Sequence, residues 1–247
     1  MGGAHAIAAL AVGTETIAPV AKICGPGNRW VTAAKRAVSG LVGIEGLAGP
    51  TEVAIFADGS ADPSRVAADL LAQSEHDADA AAVLVTTSQR LSRAVSLEIP
   101  KQLKALATRA RAAASLRRNG AIGVAANAAA GVRWIERFAP EHLGIHTKKP
   151  LADASRFSRA GAIFAGTDAS EVFGDYVAGS NHVLPTNGTA RFASALSVRD
   201  FVRYVPVVSI SAEDAARLAP RARAWAAIEG LPVVIGKVTR IRLEELN

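Results

Sequence analysis

Short apolar runs alternate along the chain with stretches in which apolar residues recur every three or four positions. The runs are EVAIFAD (52–58), AAVLVTTS (81–88), AIGVAA (121–126), HLGIHT (142–147) and GAIFAG (161–166). Such runs are typical of buried β-strands, and the spacing between them is typical of amphipathic helices. This order predicts an α/β protein whose sheet is largely parallel.

Two prolines bear on the predicted helices. In the Ala-Asp-Pro segment at 61–63, Asp62 can cap a helix and Pro63 suits its first turn. Val66 and Leu70 then belong to a buried stripe of this helix. Pro100 falls inside a long arginine-rich helical stretch. Because proline lacks the backbone donor of a helix interior, we expect two helices there, or one helix with a break.

The pattern changes after about Ala195. One or two helices, a short extended piece and a terminal KVTRIRL segment follow. We expect this tail to be an appendage to the sheet. Its aromatic residues Phe201, Tyr204 and Trp225 would then cover another surface, such as a second subunit, or form a local hydrophobic mini-core.

Composition narrows the class of protein. The 247 residues are half apolar, enough for one large core or two modest ones, and no apolar run approaches the length of about 18 residues that a membrane helix needs. The N-terminus lacks the order of a signal peptide, and the lone Cys24 can form no internal disulfide. We therefore expect a soluble, cytoplasmic protein.

The formal net charge of +6 raises the question of whether the protein binds nucleic acid. The basic residues are scattered, however, and aromatic residues make up only 5% of the chain, too few for an evident base-stacking platform. We expect neither a nucleic-acid partner nor a membrane partner.

Gln73 and His76 stand three residues apart in a predicted helix, so their side chains should share one face. An amide oxygen and an imidazole can hold a divalent metal, but two ligands are too few for a stable site. The alternative is that His76 is simply a histidine near the negative end of the helix dipole.

A second polar cluster follows the last predicted strand. Asp175 is expected in a loop, Glu171 lies four residues earlier, and His182 sits in a turn rich in glycine and asparagine. Loops beyond strand ends are where α/β sheets place their chemistry. Turn capping explains Asp175 alone but not the density of ionisable groups.

Glu141 and His142 are adjacent, directly after Pro140. Neighbours on an extended strand point to opposite faces, so these two can share a site only if the turn after the proline is irregular, and we expect such a turn. A histidine near neutral pKa suits proton transfer. His146, two strand positions beyond Gly144, is interpreted as strand surface.

Two glycine-containing turns complete the candidates. CGPGNRW offers the N–H groups of Gly25, Gly27 and Asn28 before a helical run, an arrangement that suits a phosphate. LAGPTE places Thr51 and Glu52 at the lip of the first buried strand. For both segments a plain tight turn is the alternative.

Taken in order, several motifs resemble histidinol dehydrogenases: GGAHAIAALAVGTE, KICGPGN, AGPTEV, LLAQSEH, APEHL, GDYVAGSNHVLPT and IEGL. The resemblance covers Gly2 to about Leu243 and corresponds to the later part of that family's chain. It implies an NAD-dependent homodimeric enzyme that oxidises L-histidinol through L-histidinal to L-histidine, the last step of histidine biosynthesis. A zinc ion would hold the substrate.

The resemblance also assigns roles to residues. The implied zinc ligands are Gln73, His76 and Asp175; the acid–base pair is Glu141 and His142; the substrate-binding residues are Thr51, Glu171, His182 and Glu229; and the cofactor-binding residues are His5 and Asn28. Three positions depart from the family: His5 replaces glutamine, Thr51 replaces serine, and Val234 replaces the histidine that completes the partner subunit's zinc site. Losing one of four ligands should weaken zinc binding.

The implied architecture is a set of incomplete Rossmann-like parallel-sheet layers with a small, mainly helical C-terminal tail. Its parts would be a remnant of one Rossmann-like domain (1–51), a second Rossmann-like domain with the catalytic residues (52–195) and a dimerisation tail (196–247). The family's N-terminal region, which supplies further strands and cofactor contacts, is expected to be absent. Two alternatives stay open: a related zinc-dependent dehydrogenase of another small polar alcohol, and a non-catalytic, degenerate fragment.

Overall fold

The structure is a computed structural model that describes residues 2–231. Contacts divide the chain into two compact units, Met1–Val202 and Arg203–Asn247. The strands are β1 (Lys22–Ile23), β2 (Gly43–Ile44), β3 (Glu52–Ala57), β4 (Ala81–Thr86), β5 (Gly120–Val124), β6 (His142–His146) and β7 (Ala162–Ala165). The helices are α1 (Gly3–Val12), α2 (Arg29–Val38), α3 (Pro63–Ser74), α4 (Gln89–Ala105), α5 (Arg109–Asn119), α6 (Ala128–Phe138), α7 (Pro150–Ala154), α8 (Glu171–Tyr176) and α9 (Ala212–Ile228).

The first unit is built around a five-stranded sheet in the order β5-β4-β3-β6-β7, with every pair of neighbours parallel. All six residues of β3 and all five of β6 are buried, because both strands are internal and helices cover both faces of the sheet. The five predicted strands and the predicted α/β class are confirmed.

Alternate residues of the central strands feed two hydrophobic clusters, one on each face of the sheet. On one face, Ile55 and Leu84 pack with Leu70 of α3. On the other face, Phe56 and Leu143 pack with the side chains of α6 and the segment after α7. The functional residues described below depend on the first face, which α3 covers.

Helix α3 begins as the sequence predicts. The Asp62 carboxylate accepts a hydrogen bond from the Ser64 backbone N–H at 2.8 Å, and Pro63 occupies the first turn. Val66 and Leu70 are buried in the core. The helix ends at Ser74, and in the turn that follows the Asp77 carboxylate and carbonyl accept hydrogen bonds from the Asp79 and Ala80 N–H groups.

Two helices, α4 and α5, occupy this stretch as predicted, but the expected break at Pro100 is wrong. Helix α4 continues through this proline to Ala105, and the chain leaves the helix only at residues 106–108, before α5. Pro100 lies on the exposed side of the helix, so its ring points to solvent and water can satisfy the carbonyl that loses its donor. The proline therefore remains inside the helix.

Residues 2–51 form a smaller layer. Strands β1 and β2 make a two-stranded parallel sheet, and Ile7, Ile23 and Val42 form a separate hydrophobic cluster with α1 and α2. Lys35 of α2 is buried and donates to the Gly25 carbonyl and the Glu45 carboxylate. The division at residue 51 stays a prediction.

The second unit contains α9, which Ser211 caps by accepting a hydrogen bond from the Asp214 N–H at 3.0 Å. Trp225 on this helix and Tyr204 before it are exposed, as is Phe201 at the end of the first unit. What these rings cover stays a prediction, and KVTRIRL and Val234 lie outside the described residues. Within residues 2–231, no helix combines the length and the apolar character needed to cross a membrane.

Candidate active site

The site starts at the irregular turn before β6. Ala139 adopts left-handed backbone angles (φ 51°), Glu141 lies in a bend, and His142 opens the strand. Because Glu141 precedes the strand, its Oε2 lies only 3.6 Å from Nδ1 of His142. The prediction of an irregular turn that lets the two side chains meet is confirmed.

Glu141 is buried and held by the AGPTEV segment. Its Oε2 accepts hydrogen bonds from the Thr51 hydroxyl at 2.6 Å and from the Glu52 N–H at 3.0 Å. Burial raises the pKa of Glu141, and this effect exceeds the opposing effects of His142 and of the two hydrogen bonds. The carboxyl group is therefore a stronger base when ionised than an exposed glutamate.

His142 is fixed by a backbone contact. Its Nδ1 lies 3.1 Å from the Glu52 carbonyl oxygen. This oxygen can accept a hydrogen bond but cannot donate one, so Nδ1 carries a proton. Nε2 is buried, has no hydrogen-bond partner among the described residues, and faces Asp175 Oδ1 at 3.7 Å. The imidazole thus presents Nε2 to the site.

Three carboxyl groups lie near this imidazole. Burial alone would lower the pKa of His142, but the contact with Asp175 and the negative charges of Glu141 and Glu171 raise it to about 9. An imidazole of this pKa is protonated at neutral pH. A cation bound beside these carboxylates would lower the pKa and free Nε2 to accept a proton.

Glu171 and Asp175 lie on the short helix α8, so the expectation that Asp175 is in a loop is wrong. The four-residue spacing places both side chains on one side of the helix. Both oxygens of Glu171 are buried and, in the part of the chain that is described, unpaired. Burial raises the pKa of Glu171 to about 8 against the opposing charge of His142.

Asp175 connects α8 with two further histidines. The contact with His142 lowers the pKa of Asp175, and the nearby imidazoles of His76 and His182 act in the same direction. These two imidazoles therefore lie within electrostatic range of the carboxylate. His182 is exposed and lines a cavity that also includes Thr51 and Glu141.

The expectation that one helix carries both Gln73 and His76 is wrong. Gln73 is buried near the end of α3, whereas His76 is exposed in the turn after it. Their convergence on one metal ion stays a prediction. Nε2 of Gln73 is buried without a partner among residues 2–231.

The interpretation of His146 as strand surface is also wrong. Strand β6 is internal to the sheet, and the His146 side chain is only 2% exposed. Its Nε2 lies 3.1 Å from Oδ2 of Asp69 on α3. An internal position in a parallel sheet leaves neither face to solvent, which explains the error.

Sequence reasoning gave Glu52 no role, although it touches both members of the acid–base pair through its backbone. Its side chain is buried, and Oε1 accepts a hydrogen bond from the Asn187 N–H at 3.0 Å. Burial raises the pKa of Glu52 to about 6 against that hydrogen bond, and the charge of Glu141 adds to the rise. An acidic residue opening a fully apolar strand was the available signal.

The pair lies at the amino ends of β3 and β6. This differs from the rule that chemistry follows the carboxyl ends of parallel strands. Glu52 and His142 are the first residues of their strands, and Val53 is paired with His142 in the register. Helix α8 brings Asp175 to the same edge.

A cavity of about 420 Å³ opens beside the pair. It is lined by Thr51, Glu141 and His182 and extends to Pro26 and Gly27 of the CGPGNRW turn. Its volume is within the range of small-molecule and cofactor sites.

The three expected phosphate donors are not all free. The Gly25 N–H donates to Oε1 of Glu45 at 2.9 Å, and Asn28 caps α2 by accepting from Trp30 and Val31. His5 is exposed on α1. The cofactor roles of His5 and Asn28 stay predictions.

The suggested metal ligands fit zinc by their chemistry. They offer an amide oxygen, an imidazole and a carboxylate. Among the described residues no three His, Cys, Asp or Glu side chains gather as a metal group, and the suggested set contains only two such residues, His76 and Asp175. The suggested residues therefore match zinc in the types of their donor atoms.

The fold and the site define an α/β protein with a buried acid–imidazole centre surrounded by carboxylates. Comparison with known proteins gives the family: the sequence profile described as histidinol dehydrogenase matches residues 1–242. The chain belongs to the histidinol dehydrogenase family.

Relatives and solved structures agree. A histidinol dehydrogenase of Geobacillus kaustophilus (strain HTA426) is 49% identical over 245 residues, which cover 99% of this chain and 58% of the relative. One of Bacillus subtilis (strain 168) is 50% identical over 231 residues, 94% of this chain and 54% of the relative. The crystal structure of histidinol dehydrogenase from Elizabethkingia anophelis matches with a TM-score of 0.91 and 36% identity, over 100% of this chain and 57% of that one.

A more distant match concerns the fold alone. Gamma-glutamyl phosphate reductase from Thermotoga maritima has a TM-score of 0.50 and 14% identity, over 78% of this chain and 53% of that one. The chain thus spans little more than half the length of the relatives and structures that it matches.

Proposed function

We propose that this chain carries the active site of an NAD-dependent histidinol dehydrogenase, which oxidises L-histidinol through L-histidinal to L-histidine. The observation that carries the proposal is the set of carboxylates around His142, with Glu171 buried and unpaired among the described residues. Histidinol has an ammonium and an imidazole, both of which supply N–H donors. A cationic substrate of this kind compensates the buried negative charge.

In the first oxidation His142 takes the proton of the substrate hydroxyl at Nε2. Since Nδ1 is held by the Glu52 carbonyl, Nε2 is the nitrogen that faces the site. The ammonium group of the substrate lowers the pKa of His142 from about 9 by offsetting the nearby carboxylates, which frees the base. The nicotinamide of NAD, when bound, accepts the hydride.

In the second oxidation water adds to the aldehyde, Glu141 takes a proton from that water, and the hydrate then gives up its hydride as it becomes the carboxylic acid. The Thr51 hydroxyl and the Glu52 N–H hold Oε2 of this carboxylate, which fixes the orientation of the whole group. The raised pKa of Glu141 makes it a better base than an exposed carboxylate. Thr51, Glu171 and His182 would bind the substrate, and the family resemblance adds Glu229 to these residues.

Gln73, His76 and Asp175 would hold a zinc ion, whose chemistry is to orient the imidazole and amine of the substrate. The cofactor residues would be His5 and Asn28. The partner would be a second copy of the chain, as the family resemblance implies.

Zinc binding provides one prediction. We expect the Val234→His variant to bind zinc roughly tenfold or more tightly than the parent, because a direct ligand contributes at least as much as an outer-sphere partner does. Equilibrium dialysis with zinc measures the affinity, and His76→Ala should weaken it. Equal affinities for parent and both variants would contradict these ligand roles.

The function is tested by incubating the purified chain with zinc, NAD and L-histidinol and following NADH. Two NADH molecules per histidinol, with histidine as product, are expected. NADH formed from another amino alcohol but not from histidinol favours the related dehydrogenase. A folded chain that forms no NADH from any of them and retains no zinc is a non-catalytic fragment, and the proposal fails.

A further inference from the structure

Three polar side chains outside the acid–base pair form a continuous line of contacts. Nε2 of His146 lies 3.1 Å from Oδ2 of Asp69, and Oδ1 of Asp69 accepts a hydrogen bond from the Ser170 hydroxyl at 2.9 Å. We call these three residues the α8 clamp. They join strand β6, helix α3 and the residue that precedes α8.

The order of the residues excludes a nucleophilic role for Ser170. In a hydrolase triad the imidazole lies between the serine and the carboxylate and takes the serine proton. Here the carboxylate of Asp69 lies in the middle, so His146 does not reach the Ser170 hydroxyl through its own contact. A carboxylate that contacts side chains on both sides fixes the position of two groups.

Both ends of α8 are connected to strand β6 by side-chain contacts. His142 and His146 are four residues apart on β6, so their side chains lie on one face of the sheet. His142 faces Asp175 near the end of α8, and His146 reaches Ser170 at its beginning through Asp69. The clamp and the acid–base pair thus bracket the helix.

Helix α8 depends on such contacts because it is only six residues long. A helix of this length is not stable by itself in water. Ser170 at its N-cap makes no capping hydrogen bond, since its hydroxyl is directed to Asp69 instead. Both oxygens of Glu171, the first residue of the helix, are without a hydrogen bond in the described chain, so that side chain does not anchor the helix.

The apolar side of α8 packs closely against β7. A side chain at Gly174 would approach the Phe164 ring to 2.5 Å, so the helix backbone lies directly against that ring. This contact sets the distance of the helix from the sheet. A directional contact at its beginning then fixes its position along the sheet.

We propose that Asp69, His146 and Ser170 are positioning residues that hold α8 so that Glu171 and Asp175 face His142. The catalytic meaning of this arrangement rests on the proposed function, in which Glu171 binds substrate and Asp175 binds zinc. The three residues touch neither substrate nor cofactor. They act through the helix.

Ser170→Ala is the decisive variant, because it removes one hydroxyl at the surface end of the clamp and leaves the core unchanged. KM for L-histidinol should rise roughly tenfold, the effect of losing one charge-assisted hydrogen bond, with a smaller change in kcat. Ser155→Ala, which removes a serine hydrogen bond to the Ala152 carbonyl on α7, is the matched control and should leave KM unchanged.

Two replacements at His146 separate positioning from packing. The amide nitrogen of His146→Gln can take the place of Nε2 and donate to Asp69, so KM should stay near the parent value, whereas His146→Ala should behave like Ser170→Ala. Rescue by glutamine is not expected if the imidazole only fills space. Should His146→Ala fail to fold, Ser170→Ala and His146→Gln decide the matter.

Hydrogen exchange tests the clamp without activity. Backbone amides of residues 171–177 should exchange faster in Ser170→Ala than in the parent, while those of β3 and β6 stay protected. If the parent chain is inactive but this local change appears, the proposed function fails and the clamp stands. If neither the exchange of α8 nor KM changes in Ser170→Ala, the positioning role is wrong.

Discussion

His142→Asn should lower kcat for L-histidinol oxidation by roughly 10²–10⁴-fold, the usual contribution of a positioned general base. Asparagine can still donate to the Glu52 carbonyl through its amide nitrogen, so the bend before β6 keeps that anchor. It has no nitrogen that accepts a proton where Nε2 lies. Steady-state NADH formation measures the loss.

Glu141→Gln should affect the second oxidation more than the first. The glutamine oxygen can still accept from Thr51 and Glu52, but it is not a base for the water that adds to the aldehyde. The expected product ratio is one NADH per histidinol, with L-histidinal accumulating. Glu15→Gln, at an exposed position outside the site, is the control for the loss of one negative charge.

Each of these two variants has an outcome that would contradict the role given to its residue. If His142→Asn retains parental kcat while its circular dichroism and melting temperature are unchanged, the imidazole is not the base. Two NADH per histidinol from Glu141→Gln would remove Glu141 from the hydration step. In either case the carboxylates around the imidazole would need another explanation.

The strands were predictable because each is a compact apolar run in a sheet whose interior strands are buried on both faces. The α3 start was predictable for a local reason as well: Asp62 and Pro63 act within one turn of the helix. The bend at Glu141 followed from a geometric requirement. These features depend on residues that are neighbours in sequence.

The error at His146 concerns contacts between residues distant in sequence, and the error at Asp175 concerns the length of a helix. His146 looks like an alternating strand residue until the sheet order places β7 on its outer side and Asp69 above it. Helix α8 is too short to give a periodic signal, so Asp175 was expected in a loop. The site residues came from family motifs, since periodicity contains no information about which polar groups converge.

Glu171→Gln should stabilise the chain at neutral pH and weaken its binding of histidinol. The pKa of Glu171 is raised from 4.5 to about 8, so the folded state holds a proton that the unfolded state has lost between these two pH values. The free energy of unfolding therefore falls as pH rises from about 4.5 to 8. Glutamine has no such proton and removes this dependence.

The expected gain at pH 7 is about 2 kcal/mol, below the limit of about 1.4 kcal/mol per pKa unit because neighbouring groups relax. At pH 4.5 parent and variant should unfold at nearly the same denaturant concentration, since Glu171 is then protonated in the folded state. Urea unfolding at both pH values measures the difference. Glu15→Gln should show no such pH-dependent gain.

The same substitution should cost affinity, because Glu171 is a buried carboxyl group without a hydrogen-bond partner among residues 2–231, and its ionised form accepts strongly from an ammonium or imidazolium group. Substrate binding would favour the ionised form of Glu171, so the parent should release protons when histidinol binds near pH 7, and the variant should release fewer. Calorimetry in two buffers of different ionisation enthalpy measures how many protons are released on binding. A variant that is more stable yet binds histidinol and releases protons like the parent would show that Glu171 is a buried acid with no part in substrate recognition.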